Sequence, residues 1–382
     1  MRPASLGGAR PPPFDFARAP ILVFWETTRA CGLSCLHCRA SAISEPLPGE
    51  LTPEEGRGVI DQVAEFGRPL PLIVFTGGDP LRRPDLFGLL AHARDRGIRT
   101  AVSPAVTELL TADCLRRLQD AGVMSISLSL DGAVAATHDG IRRAMGTYDR
   151  TVEAVRTALD LGLKLQINTA VMRPNVEELP RIFHDLRSWG VPTWEVFFLV
   201  RVGRATHELD LRPDEYESVA NFLYDASRYG LVVRTVEAPF VRRVLHQRDG
   251  FPYWNAPLYH VLSSELVARE GPPTGPSTLG RRGTLDGDGI IFVSHDGTVQ
   301  PGGLLPVALG NVRTDSLPEL YRTHELLRRI RGRNLSGPCG TTCPDRTVCG
   351  GSRARAYAHS SDPLASDPAC LWAVLGPPGP TR

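Results

Sequence analysis

From Ile21 the chain alternates short runs of apolar and β-branched residues with longer stretches of helical period. The runs are ILVFW (21–25), LIVF (72–75), IRTAV (98–102), VMSISLSL (123–130), LKLQINTAV (163–171) and WEVFFLV (194–200). Between them lie expected helices near 53–66, 84–96, 111–121, 148–161, 175–189 and 213–228. Strands alternating with helical patterns of this length specify βα units and a parallel sheet. Local punctuation agrees with the periods: Thr52 before Pro53-Glu54-Glu55 is an N-cap with proline at the first helical position, and Gly67, Gly97, Gly122 and Gly162 stand where helices should stop. Six such units make a barrel, whole or partial, or a doubly wound sheet, and the pattern alone does not choose.

The rhythm changes after residue 236. Residues 237–288 mix Phe251, Tyr253, Trp254 and Tyr259 with the run GPPTGPSTLGRRGTLDGDG, which reads as a linker or cover segment. IIFVSHDGTV (290–299) reads as a hairpin turning at Asp296-Gly297. A helix near 316–331 and a cysteine-rich tail follow. The expected organisation is an irregular lead-in at 1–20 containing Pro11, Pro12 and Pro13, a βα domain at 21–236, the cover at 237–288 and a small C-terminal domain at 289–382.

Composition narrows the field. In 382 residues, 43 basic and 42 acidic side chains leave a formal charge of +1, so no field draws the whole chain to nucleic acid or to an anionic membrane. Only Lys164 among the basic residues is lysine, which leaves a single candidate for Schiff-base chemistry. No segment reaches the roughly 18 apolar residues of a membrane span, and the first residues lack the apolar stretch of a secretory signal. The expected location is the cytoplasm, where thiols stay reduced and clustered cysteines bind metal.

The eight cysteines divide into Cys31, Cys35 and Cys38, a lone Cys114, and Cys339, Cys343, Cys349 and Cys370. C-x3-C-x2-C follows directly on the first strand, and in parallel α/β domains the loops after strand C-termini carry function. Three thiolates are one short of a closed zinc site or a fully ligated 4Fe-4S cluster, so one iron would stay open to a small ligand. A zinc knuckle with His37 as fourth ligand is the alternative. The tail spacing, C-x3-C-x5-C-x20-C, supplies four thiolates, enough for a closed cluster or for structural zinc. Cys114, in TADCLRRL, reads as a packed thiol on a helix.

CGLSCLHC after strand one resembles the signature of radical S-adenosylmethionine (radical SAM) enzymes. The resemblance continues through Thr76-Gly77-Gly78-Asp79-Pro80 after strand two, where the family usually has Gly-Gly-Glu-Pro. It extends to Ser129-Leu130-Asp131-Gly132 after strand four, His138-Asp139-Gly140-Ile141-Arg142, and Asn168 on strand five. It implies a partial (β/α)6 TIM-type barrel, with a 4Fe-4S cluster on Cys31, Cys35 and Cys38 whose open iron chelates S-adenosylmethionine. It further implies a cofactor pocket made by Gly77, Gly78, Asp79, Pro80, Ser129, Asp131, Arg142 and Asn168. Gly77 and Gly78 would admit the methionine amino group, and Arg142 would fork onto the SAM carboxylate, with Arg143 as a substitute where the family usually has glycine.

GNVRTDSLPELYR (310–322) and CGGSRARAYA (349–358) resemble the α+β SPASM/twitch extension that holds auxiliary clusters, nearest the branch of the iron-coproporphyrin decarboxylase and the haem d1 protein. The departures are Gly302 and Ser352, where cysteine is usual, so one auxiliary 4Fe-4S cluster on Cys339, Cys343, Cys349 and Cys370 is expected rather than two.

The implied activity is reductive cleavage of SAM to a 5′-deoxyadenosyl radical and hydrogen abstraction from substrate, with electrons from an external low-potential donor of flavodoxin or ferredoxin type. A tetrapyrrole propionate, gripped by Arg201, Arg204, Arg242 and Arg243, is the first substrate reading. A ribosomal peptide, against which the short stretch before Cys31 weighs, or a natural-product intermediate is the alternative. A non-catalytic iron–sulfur carrier is the reading from another class, and such a carrier has no need of a SAM pocket.

Overall fold

The computed structural model describes residues 14–248, 254–280 and 283–375. The Pro11–Pro13 lead-in and the aromatic residues Phe251 and Tyr253 lie outside the described residues. Seven parallel strands follow one another across one sheet: β1 (Leu22–Glu26), β2 (Leu72–Thr76), β3 (Thr100–Val102), β4 (Ser125–Ser129), β5 (Leu165–Val171), β6 (Thr193–Phe198) and β7 (Val232–Val236). Six coincide with the apolar runs of the sequence. The seventh, VVRTV, is not among them.

Helices Pro53–Ala64, Leu86–Asp95, Ala112–Asp120, Thr147–Asp160, Leu179–Ser188 and Pro213–Ala226 connect these strands in the expected places. The first opens on a complete capping box. Thr52 Oγ1 accepts from the Glu55 N–H at 3.2 Å, and Glu55 Oε2 accepts from the Thr52 N–H at 2.8 Å. The expected stop glycines at 67, 97, 122 and 162 all take positive φ. One further helix, Ala135–Arg142, carries HDGIR, a segment the periodicity leaves unassigned.

The alternation within strands separates two faces. Trp25, Phe75, Ile167, Trp194 and Phe198 point outward under the helices and are fully buried, each worth about 1.5–3 kcal/mol in removed apolar surface. The other face of β4–β6 carries Ser127, Ser129, Gln166, Asn168 and Glu195, all half-buried. The core is therefore the sheet–helix interface, and the interior of the curved sheet is polar.

The segment expected as a linker and cover contains helices Val241–Arg248 and Pro257–Glu270. The second buries Tyr259, Leu262 and Leu266 and packs against the helices at 179–188 and 213–226. Its apolar positions are continuous with the barrel's outer layer, a partnership that local composition does not encode.

The C-terminal part joins the same sheet. β8 (Leu285–Asp286) leads to β9 (Gly289–Val293), which runs parallel to β1 with Phe24 opposite Phe292. β9 then turns at Asp296-Gly297, as expected, into antiparallel β10 (Thr298–Gln300), followed by β11 (Gly310–Asn311). The strand order is β11-β10-β9-β1-β2-β3-β4-β5-β6-β7, open at both edges. Among the described residues, no helix is long and apolar enough to cross a membrane.

Candidate active site and second cysteine cluster

The loop after β1 is held from three sides. The Cys31 N–H bonds Ile43 O at 2.7 Å, and the Leu36 N–H bonds Ile141 O at 2.9 Å at the end of helix Ala135–Arg142. From the segment after β6, the Arg204 guanidinium donates to Cys35 O and Ala42 O, both at 2.9 Å, and the Arg204 N–H donates to Cys38 O at 3.0 Å. Gly203, at φ +62°, lies so close to Cys38 O and Arg39 O that a Cβ there would clash with both. Arg204 is thus committed to fixing the cysteine loop, a correction to its reading as a substrate grip.

Within this frame Cys31, Cys35 and Cys38 gather in one small apolar cluster with Leu33, Ala42, Ala105 and Ala144. The thiols receive donors: Leu33 N–H to Cys31 Sγ and Ala42 N–H to Cys38 Sγ, both at 3.4 Å, and Arg142 Nη1 to Cys35 Sγ at 3.7 Å. Burial, with the nearby Asp79, Cys35 and Cys38, pushes the Cys31 thiol up to about 11. Three thiolates in one apolar cluster would need an added positive centre, which iron would supply in exchange for the thiol protons. The donor set fits an iron–sulfur group. His37 faces Asp131 instead, with Nε2 at 3.6 Å from Oδ2. Burial holds its imidazole neutral, with a pKa lowered to about 4.

The Gly77-Gly78-Asp79-Pro80 turn is latched onto the cysteine loop. The Gly78 and Asp79 N–H groups bond Thr28 O and Ala30 O at 2.8 and 2.7 Å. A Cβ on Gly77 would lie 2.6 Å from Thr28 O, and one on Gly78 would strike Ala30 O. The contact that demands glycine in this structure is therefore with the chain's own backbone. Asp79 is fully buried and accepts from Leu81 N–H, Ala105 N–H and Thr107 Oγ1 at 3.1, 3.3 and 3.0 Å, capping the turn that starts at Pro80. Burial raises its pKa against those bonds.

Asp131 and Arg142 meet each other. Arg142 Nη2 lies 2.5 Å from Asp131 Oδ2, and Asp131 Oδ1 accepts from Ala170 N–H at 2.8 Å. Burial would raise the Asp131 pKa, but the Arg142 charge holds it below the ordinary carboxylate value. Arg142 is thus already paired with a buried carboxylate and a cysteine thiol, where the resemblance assigns it to the SAM carboxylate. The Asp131 N–H donates to His138 Nδ1 at 3.1 Å, which places the ring hydrogen on Nε2, buried and without a hydrogen-bond partner among the described residues.

Ser129 and Asn168 are register partners on β4 and β5, and Asn168 sits opposite Glu195 on β6. Gln166 Nε2 donates to both Asn168 Oδ1 and Glu195 Oε2 at 2.8 Å. Burial raises the Glu195 pKa, and Arg234, its register partner on β7, opposes that shift. Glu195 and Arg234 escape sequence reasoning. The available signal is the every-other-residue polarity of LQINTAV and TWEVFF, which marks one polar face.

In the tail, Cys339, Cys343, Cys349 and Cys370 are all buried and line one pocket with Arg243, Arg346, Gly350, Gly351, Trp372 and Ala373. The cavity between them is small, about 10 Å³, room for about one water. The Gly351 N–H reaches Cys349 Sγ at 3.4 Å, and the Asp367 N–H reaches Cys339 Sγ at 3.5 Å. Burial pushes Cys370 up to about 11 and also raises Cys343 and Cys349. Among the described residues, no three His, Cys, Asp or Glu side chains converge as they would on a single metal ion.

Arg243 is bound to Glu217 at 2.5 Å, and Arg242 to Val348 O and Thr284 O at 2.7 and 3.3 Å. Arg201 sits 3.3 Å from Asp210. None of the four arginines expected as carboxylate grips is uncommitted. Cys114 is buried on its helix, apart from both clusters, as expected.

The chain is similar to known proteins over most of its length. Residues 25–186 match the radical SAM superfamily model. The chain is 38% identical over 359 residues to the AdoMet-dependent heme synthase of Nitratidesulfovibrio vulgaris, covering 92% of each chain. It is 28% identical to the pre-heme d1 synthase of Dinoroseobacter shibae, covering 91% of this chain and 85% of that one. Among solved structures, Streptococcus suis SuiB bound to S-adenosylmethionine shares the fold at a TM-score of 0.65 and 14% identity, over 92% of this chain and 77% of SuiB.

Proposed function

The chain belongs to the radical SAM superfamily, in the branch of the heme and heme d1 synthases, and from that premise we propose that its substrate is an iron-coproporphyrin whose propionate side chains it decarboxylates oxidatively. Likeness to a heme synthase over 92% of both chains carries this reading. The two separate cysteine sites, three thiols on the barrel loop and four in the tail pocket, support it.

A 4Fe-4S cluster on Cys31, Cys35 and Cys38 with S-adenosylmethionine on its open iron would supply a 5′-deoxyadenosyl radical by one-electron cleavage of the C5′–S bond. The chain's own residues position that chemistry. Arg204, Ile43 and Ile141 fix the backbone of the cysteine loop, and the Gly77-Gly78-Asp79-Pro80 latch prevents it from shifting against β2. Arg142, held by Asp131, donates to Cys35 Sγ and fixes that thiol's position. Ser129, Asn168, Gln166 and Glu195 offer hydrogen bonds along the interior to the ribose and to substrate. Arg234, exposed on β7 and opposite Glu195, is the cation best placed for a substrate carboxylate, in place of the committed Arg204, Arg242 and Arg243.

In the tail, Cys339, Cys343, Cys349 and Cys370 would hold an auxiliary 4Fe-4S cluster that accepts the electron released on decarboxylation. Four buried thiols around one pocket, as many as a fully ligated cluster takes, support this reading. An external low-potential donor would reduce the barrel cluster.

The test is anaerobic reconstitution with dithionite and SAM, followed by addition of iron-coproporphyrin. We expect 5′-deoxyadenosine to rise several-fold and the porphyrin to lose carboxyl groups as carbon dioxide, read by mass. A rate insensitive to the porphyrin but raised by a peptide would overturn the substrate reading.

A further inference from the structure

At the C-terminal ends of β1 and β9, Glu26 gathers three side chains that no step of the proposed reaction uses. Its Oε2 accepts from Arg39 Nη1 at 2.7 Å, and its Oε1 lies 2.8 Å from His295 Nδ1 and accepts from Ser294 Oγ at 3.4 Å. Glu26 is buried, and Arg39 is fixed a second time by lying over the Phe292 ring, 4.7 Å from its centroid. A carboxylate already paired with a guanidinium only accepts hydrogen bonds, so Nδ1 carries the hydrogen of the neutral His295 ring. Nε2 is then a bare lone pair. Among the described residues nothing bonds it, and the half-buried ring leaves it open to solvent. A carboxylate behind Nδ1 fixes the tautomer and orientation of a metal-ligating histidine and makes Nε2 a stronger donor.

Two other histidine–carboxylate pairs, His92–Asp61 and His184–Glu270, sit on helices of the outer layer. His295 stands at the strand ends, and from there an apolar wall begins. A Cβ on Gly303 would crowd both the Phe292 ring, at 3.1 Å, and Arg39 Nε, at 3.4 Å, so the chain runs close over this pair. The next residue, Leu304, packs with Val202, Val307 and Tyr357, all half-buried. Val202 is tied to the same place, since the adjacent Gly203 lies against Arg39 O. Half-buried apolar side chains near an oriented imidazole fit a flat apolar ring that carries iron at its centre, for which imidazole is a preferred ligand.

We propose that His295 Nε2 is the axial ligand for the iron of the porphyrin substrate, with Glu26 as the positioning residue that orients the ring and Arg39 holding Glu26 in place. This rests on the iron-coproporphyrin reading of the function. The bond forms from the Nε2 lone pair to an axial position of the iron, displacing at most a water. No electron moves, and Nδ1 keeps its hydrogen. Ligation anchors the macrocycle by its centre while its propionates stay at the rim for the radical to reach. It also ties recognition to the metal, because a metal-free porphyrin has no anchor for His295.

Iron-coproporphyrin and metal-free coproporphyrin, added separately to the reconstituted full-length protein and to His295→Ala, test this. The ferrous wild-type complex should show an iron–histidine stretch in its resonance Raman spectrum. His295→Ala should lose that stretch, bind iron-coproporphyrin about tenfold more weakly and bind the metal-free ring as before, and added imidazole should restore an imidazole-ligated spectrum. Glu26→Gln should keep the bond and lower its stretching frequency, since a neutral amide leaves Nε2 less basic. If iron-coproporphyrin is decarboxylated but the wild-type complex shows no iron–histidine stretch, or the stretch persists in His295→Ala, the ligand assignment fails and the substrate reading stands. Equal weakening toward both porphyrins would make His295 a carboxylate contact and overturn the assignment as well. A wild type that binds no iron-coproporphyrin overturns the substrate reading, and this inference with it.

Discussion

The two cysteine sites reach similar burial by opposite means. The barrel trio lies within eight residues of sequence, on a loop whose backbone is bonded to Ile43, Ile141 and Arg204. The tail quartet is spread over 32 residues, on a four-residue helix, a loop and the approach to a last short helix, and comes together only as walls of a pocket. The trio is presented on a preformed platform with one coordination position to spare. In the tail four thiols already suffice to close the shell, so the group they hold would also order the segments around it. The first arrangement suits chemistry with an exchangeable ligand, the second electron storage.

Removing each site separates these roles most strongly. A Cys31/Cys35/Cys38 triple alanine variant should lose 5′-deoxyadenosine formation entirely and fall from about eight irons per chain to about four. A variant lacking Cys339, Cys343, Cys349 and Cys370 should also fall to about four irons yet retain SAM cleavage while losing substrate turnover. Four irons plus one zinc in the wild type would make the tail a structural zinc site and break the comparison.

The platform's rigidity comes next. Asp131→Asn leaves Arg142 without its buried counter-charge and should cost about 3 kcal/mol at pH 7, measured by denaturant titration. The Asp131 pKa is depressed in the folded state, so the wild type's advantage is full above the unfolded value near 4 and disappears as pH falls through the folded value. The two proteins should therefore converge in acid, and a constant gap across pH would refute the ion-pair account.

Arg204→Ala removes guanidinium bonds to two backbone carbonyls and should cost about 2 kcal/mol. Its sharper sign is faster loss of iron from the barrel site than from the tail on mild chelation. The smallest effect belongs to Arg313→Ala, which releases Glu55 from the pair that lowers its pKa to about 2. Both groups are about one-third exposed, so solvent screening limits the cost to less than about 1 kcal/mol in thermal melts.

Much of this architecture is legible in the sequence because it is written in short periods. The six apolar runs are strands and the stop glycines end helices, since alternation and left-handed backbone are local properties. β7 has no place among the six runs even though Gly230, at φ +89°, ends the helical segment before it just as the other stop glycines do; its five residues, with Arg234 and Thr235 among them, make too short an apolar run to stand out. The helix at 257–270 looks like cover in the sequence because its mixture of aromatic and polar residues shows its apolar side only against the helices it packs on. The arginines mislead for a related reason. Arg204 stands 169 residues from Cys35 and 162 from Ala42, in no pattern that names either partner. A guanidinium shows whether it binds substrate or backbone only once those carbonyls are in place.

Residue order was enough for the parallel βα succession, the division of eight cysteines into three, four and one, and the family to which the chain belongs, because spacing and period survive without coordinates. Folding had to bring β9 beside β1, Arg142 to Asp131, four distant thiols into one pocket, Gly302 against Asp286 and Ser352 onto Glu237. Most of these contacts join residues tens to hundreds of positions apart, set by packing and charge neutralisation in the folded chain and invisible to any window along it.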